Sequence, residues 1–292
     1  AFPAARAVFD EVDSALGEKL SALMFEGPEA DLTLTANAQP ALMAVSVAAL
    51  RVLQTEAGLD LARDAKFVAG HSLGEYSALA AAGAFSLSDA ARLLRLRGRA
   101  MQQAVPAGAG AMAALLGLDY DTGVAVCAQA QAEAGGVCQI ANDNGGGQVV
   151  ASGSKAAVEK ATEIAKTKGA RRAMMLAVSA PFHCALMQPA ADAMAAALAE
   201  TKISTPLVPV VANVTASAVI DPSQIRDLLV KQVTGAVRWR ECVGYMASHG
   251  VDRFVELGAG KVLTGLLKRL AEGATGVSVG SPADVEAYKA AH

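Results

Sequence analysis

The order of strand-like and helix-like segments is the feature of this sequence that most restricts its possible folds. Between residues 111 and 178 the spacing of apolar residues predicts strand, helix, strand, strand, helix and strand in turn. On either side, longer helices alternate with short strands at 66–69, 207–211 and 253–257. Strands that alternate with helices favour a mostly parallel sheet covered on both faces. We therefore predict an α/β protein that carries one inserted unit.

The inserted segment has a topology of its own. A β-α-β-β-α-β order within about 70 residues is the split βαβ arrangement of ferredoxin-like domains. A linker at 106–110 precedes the segment, and Pro181 follows it. We therefore expect a core made of residues 1–106 and 180–292, and a ferredoxin-like small domain made of residues 107–179.

Composition excludes several classes of protein. Hydrophobic residues make up 53% of the chain and charged residues 18%, against roughly 25% charged in a typical soluble domain. Such a chain buries a large core and is not disordered. A net charge of −3 argues against a general nucleic-acid binder. The longest apolar runs stop at about ten residues, whereas a membrane-spanning helix needs about 20, so we expect no membrane partner.

Cysteine usage bears on location and on metals. Cys127, Cys138, Cys184 and Cys242 are scattered and form no CxxC pair, and no histidine spacing completes a metal site. Reduced, mostly buried thiols are typical of a cytoplasmic protein. The start of the chain has no basic segment followed by an apolar one, so we expect no signal peptide. We expect a cytoplasmic protein without a metal or other cofactor.

One short motif carries the chemistry. Residues 70–74 read Gly-His-Ser-Leu-Gly and fit G-x-S-x-G, with a predicted strand at 66–69 before them and a predicted helix at 73–82 after them. This is the context of a nucleophile elbow, a tight turn that exposes a serine between a strand and a helix. It predicts Ser72 as a nucleophile and the Leu73 N–H, at the positive end of the helix, as an oxyanion donor. The alternative is a plain glycine-bounded turn.

A nucleophilic serine needs a base, and the chain has only four histidines. His71 is adjacent to Ser72, so its side chain should point elsewhere. His249 lies at a predicted helix C-terminus, and His292 is the last residue. His183 remains, in a loop between a predicted strand and a helix, where α/β folds place their sites. We expect His183 to be the base; the alternative is a packed core histidine.

No acidic residue between Ser72 and His183 has a context that would orient the histidine. The sequence therefore predicts a Ser–His dyad rather than a triad. In such a dyad a backbone carbonyl or an amide side chain would hold the Nδ1–H of the histidine.

Arg97 is the most informative charge. In the predicted helix at 88–103 it lies in an apolar stripe with helical spacing, whereas Arg92, Arg95 and Arg99 fall on another face and are expected to be solvated. A buried guanidinium is costly unless it is paired, and its planar fork matches a carboxylate. Helical position alone leaves open whether the partner is an acid of the protein or a substrate carboxylate. The apolar members of the stripe are Ala90, Leu93, Leu94, Met101 and Ala104.

Four segments together resemble one enzyme family. They are residues 68–78 (VAGHSLGEYSA), the helix with Arg97 and Gly98, residues 181–187 (PFHCALM) and residues 260–265 (GKVLTG). In this order, and over nearly the whole chain, they resemble the malonyl-CoA:acyl carrier protein transacylases of bacterial fatty acid synthesis. The resemblance implies an α/β-hydrolase-like core with a ferredoxin-like insert, in agreement with the order of elements.

The resemblance also implies roles for individual residues. Ser72 would carry the malonyl group as an ester, His183 would be the general base and acid, and Arg97 would bind the malonyl carboxylate. The main-chain carbonyl of Gln232 would orient the histidine, and Phe182 would favour malonyl over branched acyl groups. Further substrate-binding positions implied by the resemblance are His71, Asn142 and Asn144.

The N-terminus departs from the family pattern. The family begins with a strand and a Gly-Gln-Gly-Ser-Gln loop whose first glutamine contributes to the oxyanion hole, whereas this sequence starts at Ala1, Phe2 and Pro3 without that motif.

Three functions follow as hypotheses. The first is a ping-pong transfer of malonyl from malonyl-CoA to acyl carrier protein. The second is a serine hydrolase or thioesterase with the same dyad, and the third a catalytically silent carrier-binding subunit.

A carrier protein as partner predicts a basic surface near the site. Carrier proteins of this type are acidic, and complementary charge steers such an encounter. The alternative for each basic residue is an ordinary solvated charge. The candidate docking residues are Lys166, Lys168, Arg171, Arg172, Lys261, Lys268 and Arg269.

Overall fold

The computed structural model describes residues 2–291, and its first part is mainly helical. Strand β1 spans Val68–Ala69 and ends directly before the turn at Ser72. The helices of this part are α1 (Pro3–Leu16), α2 (Leu20–Glu26), α3 (Glu29–Leu32), α4 (Thr35–Glu56), α5 (Leu61–Asp64), α6 (Leu73–Ala81) and α7 (Leu87–Gln103).

The middle of the chain forms a four-stranded antiparallel sheet in the order β3-β4-β2-β5. Alternate residues of its first strand, Ala111, Ala113 and Leu115, are buried in one apolar cluster with the two helices of this part. The predicted order of strands and helices is therefore present. The elements are β2 (Gly110–Leu116), α8 (Tyr120–Ala134), β3 (Cys138–Asp143), β4 (Gln148–Ser154), α9 (Lys155–Thr167) and β5 (Arg172–Met175).

The last part of the chain returns to the first. A single 3₁₀ turn at Ala185–Met187 leads into it, and helices α10 and α11 share the large apolar cluster of α4 and α7. Its elements are α10 (Gln188–Glu200), β6 (Val210–Ala212), β7 (Ser217–Val219), α11 (Pro222–Thr234), α12 (Trp239–Ser248), β8 (Arg253–Leu257), α13 (Val262–Leu267), β9 (Thr275–Val279) and α14 (Pro282–Ala290).

The expectation of one mostly parallel sheet is only partly right. In the described residues, β1 pairs with β6 and β8 with β9 in parallel, but in two separate sheets. Strand β7 joins β6 as an antiparallel hairpin. The four residues between these two strands are too few for a parallel crossover. The sequence predicts a last helix over residues 261–270, and strand β9 and helix α14 follow it without having been predicted.

Two helix boundaries differ from the sequence expectation. The spacing of apolar residues predicts one helix over residues 4–23, but the first helix ends at Leu16, because Gly17 adopts a left-handed φ of 66° and caps it. Pro40 is typical of the first turn of a helix and predicts a helix start there, but α4 begins at Thr35 and contains Pro40 in its interior. Proline leaves the carbonyl four residues earlier without its helical partner.

Arg95 explains how the proline is tolerated. Its Nη1 donates to the Ala36 carbonyl at 2.8 Å, which is the carbonyl that Pro40 leaves free. The guanidinium also pairs with Glu18 and with the Asn37 side chain. The expectation that Arg95 is solvated is therefore wrong, because it caps a broken helical turn, whereas Arg92 and Arg99 are exposed as expected. The spacing of apolar residues alone does not predict this interaction.

By length and composition alone, α4 could cross a membrane, contrary to the expectation from uninterrupted apolar runs. In the structure, 56% of its most apolar window is buried inside the protein. Its buried residues join those of α7, α10 and α11 in the main apolar cluster. A core helix of a globular fold has this character.

The crossing of α7 over α4 depends on a glycine. A Cβ on Gly98 would lie 2.5 Å from the carbonyl oxygen of Thr35 and 2.6 Å from the Cα of Ala36. The contact atoms are backbone, so they cannot move aside cheaply. Position 98, next to Arg97, therefore accommodates only glycine without a clash.

Replacing Gly98 with alanine is expected to lower the free energy of unfolding by about 1–3 kcal/mol through overpacking. Urea unfolding of the purified protein measures it. The matched control is Gly244→Ala in α12, where a Cβ meets nothing within 4 Å. The free energy of unfolding of the control should lie no more than about 1 kcal/mol below that of the unmodified protein, or above it. Equal stability of Gly98→Ala and the unmodified chain would contradict the close-approach argument.

Candidate active site

Ser72 lies in a strained turn between β1 and α6. Its φ of 53° and ψ of −112° are rare for any residue with a side chain. A Cβ on Gly70 would lie 2.0 Å from the carbonyl group of Gly74, so only glycine fits there. Leu73 begins α6, and the first N–H groups of a helix have no acceptor within the helix. The turn thus presents the serine hydroxyl beside the positive end of a helix.

His183 contacts the serine directly. Its Nε2 lies 2.7 Å from the Ser72 Oγ, and its Nδ1 lies 2.8 Å from the main-chain oxygen of Gln232. Burial, and then the positive charge of Arg97, lower the pKa of His183 to about 3. The ring is therefore neutral near pH 7, with its Nδ1–H donating to the carbonyl. Its Nε2 lone pair can then take a proton from the serine.

Arg97 is 1% exposed and reaches the same hydroxyl. Its Nη1 donates to the Gln39 side chain at 2.6 Å. Its Nη2 donates to Ser72 Oγ at 3.1 Å and to the Gln232 side chain at 2.9 Å. The guanidinium also lies over the ring of Tyr76, 5.6 Å from its centroid.

Within residues 2–291, Arg97 has no ion pair with a carboxylate, and its Nε has no hydrogen-bond partner. Burial lowers the pKa of the guanidinium, although the charges of Tyr76 and Glu75 oppose this shift. A buried cation held only by neutral acceptors is costly. The described part of the chain therefore supplies no paired acid, and the position is suited to an anion from outside.

Three of the remaining predicted residues lie close to this centre. The His71 Nε2 is 2.9 Å from the Asn144 side-chain oxygen, so the His71 ring pairs with Asn144. Phe182 is half-buried next to His183 and packs on apolar residues of both parts of the fold. Burial lowers the pKa of His71, which keeps this ring neutral as well.

In the part of the chain that the structure describes, Asn142 and His249 make no side-chain hydrogen bond with Ser72, His183 or Arg97. Asn142 is buried in β3, where it forms a backbone bridge with Val237, and its side chain joins none of the hydrogen bonds described above. His249 is exposed after α12, and its Nδ1 contacts the Tyr245 carbonyl at 2.7 Å. His292 lies outside the described residues. No group of three metal-ligating side chains occurs in the described part of the chain.

Sequence reasoning missed three buried polar residues of the site, Gln39, Glu75 and Asn213. Each is less than 4% exposed and hydrogen-bonded to Arg97, Gln232 or the Ser72 backbone. Glu75 was visible in principle, because it is an acid one helical turn after Ser72 at the start of an apolar helix. Gln39 and Asn213 carry no comparable signal, since neutral amides are common in loops and helices.

The candidate docking residues are on the surface. All seven basic side chains named above are exposed, and they come from both the middle and the last part of the chain. Exposed cations raise local potential without fixing a geometry. Their exposure makes them available to an acidic partner.

Glu75 makes the stability depend on pH in a specific window. Burial raises its pKa from 4.5 to about 7, although hydrogen bonds from Asn213 and Gln232 and the charge of Arg97 oppose the shift. The folded protein therefore binds this proton more tightly than the unfolded chain does. This contribution to stability is complete below pH 4.5 and is lost as the pH rises through 7.

Relative to Glu75→Gln, the unmodified protein should lose about 3 kcal/mol of unfolding free energy between pH 4.5 and pH 7. Urea unfolding at several pH values gives this difference, and other titrating groups cancel because both proteins share them. Parallel pH profiles of the two proteins would show that Glu75 titrates normally.

Comparison with known sequences places the chain in a family. The acyl transferase domain family matches residues 1–283. The malonyl CoA-acyl carrier protein transacylase of Escherichia coli K12 is 46% identical over 98% of this chain and 91% of the relative. The enzyme of the same name from Bacillus subtilis 168 is 45% identical over 97% of this chain and 88% of the relative.

Solved structures agree. The acyl-carrier-protein S-malonyltransferase of Bartonella henselae is 56% identical, with a TM-score of 0.95 over 99% of this chain and 91% of that one. A malonyl-transacylase in complex with a type II PKS acyl-carrier protein is 42% identical, with a TM-score of 0.95 over 100% of this chain and 92% of that one. The chain therefore belongs to the acyl transferase domain family and, within it, to the malonyl-CoA:acyl carrier protein transacylases.

Proposed function

We propose that the protein is a malonyl-CoA:acyl carrier protein S-malonyltransferase that works through a serine ester. One observation carries the chemistry: the Ser72 hydroxyl lies between a neutral histidine and a buried arginine that has no acid partner within residues 2–291. The histidine supplies a base and the arginine a receptor for a carboxylate. Relatives at 45–46% identity named malonyl CoA-acyl carrier protein transacylase support the same substrate and acceptor.

The first half-reaction acylates the serine. As Ser72 Oγ attacks the thioester carbonyl of malonyl-CoA, its proton passes to His183 Nε2, and the developing oxyanion accepts a hydrogen bond from the Leu73 N–H. The Gln232 carbonyl holds the imidazolium through its Nδ1–H. The carbon–sulfur bond then breaks, His183 returns the proton to the departing CoA sulfur, and a malonyl ester remains on Ser72.

The second half-reaction runs the same steps with another thiol. The phosphopantetheine thiol of acyl carrier protein gives its proton to His183 Nε2 and attacks the serine ester. The ester carbon–oxygen bond breaks, and the proton returns to Ser72 Oγ. The malonyl group leaves as a thioester of the carrier protein, so no water, metal or redox group takes part in the balance.

Arg97 selects the acyl group in this proposal. A malonyl carboxylate can accept from the fork of the guanidinium, whereas an acetyl methyl leaves the buried cation unpaired. Four further residues are proposed to shape the rest of the acyl pocket. They are His71, Asn142 and Asn144 at its edge and Phe182 beside the histidine.

We also propose a finer description of the fold and location. The antiparallel order β3-β4-β2-β5 with α8 and α9 on one face supports a ferredoxin-like small domain at residues 107–179. The β1–turn–α6 elbow supports an α/β-hydrolase-like core at residues 1–106 and 180–292. Four free, buried cysteines support a cytoplasmic location.

The exposed basic residues are the proposed docking surface for the acidic carrier. Charge of this kind steers encounter more than it adds affinity, so its effect belongs to the second half-reaction. The seven residues named in the sequence analysis are its proposed members.

Incubation with malonyl-CoA should add the mass of one malonyl group to the intact protein, located on Ser72 by peptide mass spectrometry. Addition of carrier protein with its phosphopantetheine arm should remove that mass and load the carrier. Ser72→Ala is the control and should gain no mass. Release of mainly free malonate would favour a hydrolase or thioesterase, and no mass gain would favour a silent carrier-binding subunit.

Arg97→Ala should reduce kcat/KM for malonyl-CoA about 100-fold or more relative to that for acetyl-CoA. The ratio is the readout, because Arg97 also contacts Ser72, and loss of that contact changes the rate with both substrates alike. Both rates come from the mass of the serine ester against time. Equal losses with the two substrates would remove the carboxylate-binding role.

A further inference from the structure

We infer that Glu75 is a positioning residue that holds both members of the catalytic pair through the amides of Gln232 and Asn213. The inference rests on the proposed function, because it concerns how Ser72 and His183 are kept in place for acyl transfer. Glu75 contacts neither of these side chains, so its action has to pass through the two amides. Its Oε2 accepts hydrogen bonds from both.

The first link fixes the Gln232 side chain. Its Nε2 donates to Glu75 Oε2 at 3.0 Å and lies 3.0 Å from the Ser72 carbonyl oxygen, while its Oε1 accepts from Arg97. The Nε2 also lies 3.2 Å from the Asn213 side-chain oxygen. If the amide were reversed, its oxygen would face three acceptors and its nitrogen would face a guanidinium donor. Glu75 therefore helps to fix the orientation of this amide, as the one carboxylate among its acceptors.

The Gln232 residue also holds the histidine. Its main-chain oxygen accepts from His183 Nδ1 at 2.8 Å. A side chain tied at its far end restricts the rotation of the helical residue that carries this carbonyl. Glu75 and His183 are thus connected through one residue, by its side chain at one end and its backbone at the other.

The second link fixes the strained turn. Glu75 Oε2 accepts from the Asn213 main-chain N–H at 2.9 Å. The Asn213 side chain accepts from the Ser72 N–H and donates to the Gly70 carbonyl, each at 2.8 Å. With the Gln232 contact, the peptide groups on both sides of Ser72 are held. A residue in a rare backbone conformation needs such surroundings to stay there.

Burial makes this arrangement costly unless it serves a purpose. Glu75 is 2% exposed and has no ion pair within residues 2–291, so two hydrogen bonds replace its water shell. A purely structural role in packing α6 is the competing explanation. The two roles differ in what they change: packing loss reduces the number of folded molecules, whereas loss of positioning slows each folded molecule.

The test compares Glu75→Leu, which keeps the volume but has no acceptor, with Glu75→Gln, which keeps one acceptor oxygen. Rapid-quench mass spectrometry follows acylation of Ser72 by malonyl-CoA and gives both the rate and the final labelled fraction. Glu75→Leu is expected to react about 100-fold more slowly at saturation. Its half-saturating malonyl-CoA concentration and its final labelled fraction should stay near those of the unmodified protein.

The conservative variant should rescue the rate. Glu75→Gln is expected within about tenfold of the unmodified protein, since hydrogen bonds to a charged acceptor are roughly twice as strong as neutral ones. Ser77→Ala is the matched control, because Ser77 is buried in the same helix and its hydroxyl has no partner among residues 2–291. A reduced labelled fraction with an unchanged rate, or equal slowing in Leu and Gln variants, would overturn the inference.

Two additions cover the remaining outcomes. A fluorophosphonate labels an activated serine without any malonyl group, so it ranks the variants even if malonyl-CoA proves not to be the substrate. If Glu75→Leu does not fold, Gln232→Met removes one of the two links from the other side. Rate losses from Gln232→Met and Glu75→Gln that are less than additive support the link, and fully additive losses overturn it.

Discussion

The buried guanidinium of Arg97 is the charge on which the arrangement of the site depends. It lies on a helix inside the largest apolar cluster, where an ion without a counter-ion is costly. Neutral oxygens from Gln39, Gln232 and Ser72 surround it in place of a carboxylate. Under the proposed function, the malonyl carboxylate of the substrate supplies the missing counter-ion. After burial, the charge of Arg97 is the second cause of the lowered pKa of His183.

Much of the fold could be predicted because periodicity reports burial directly. The order of elements from β2 to β5 follows from alternating apolar residues in the strands and from helical spacing in α8 and α9. Sheet partners could not be predicted, because pairing depends on distant segments such as β1 and β6. The helix over Pro40 could not be predicted either, since its tolerance depends on Arg95 from another helix.

The candidate site divides in the same way. Ser72 follows from a motif with a structural context, His183 from elimination among four histidines, and Arg97 from a charge in an apolar stripe. Glu75 is an acid one helical turn after Ser72, but its partners Asn213 and Gln232 are far away in sequence, so spacing does not predict these hydrogen bonds. The sequence therefore predicts the residues proposed to contact the substrate. The residues proposed to hold them in place are identified from the hydrogen bonds of the folded structure.

The hydrogen bond between Arg97 Nη2 and Ser72 Oγ has a consequence for the resting enzyme. Under the proposed mechanism, a donor on the serine oxygen withdraws electron density and makes that oxygen less nucleophilic toward other acyl donors. An acid-tailed substrate competes for that donor when its carboxylate reaches the guanidinium. Arrival of the correct acyl group then frees the oxygen at the moment it is needed. In this mechanism, recognition of the substrate carboxylate and activation of the serine occur together, and the serine is less reactive when no substrate is bound.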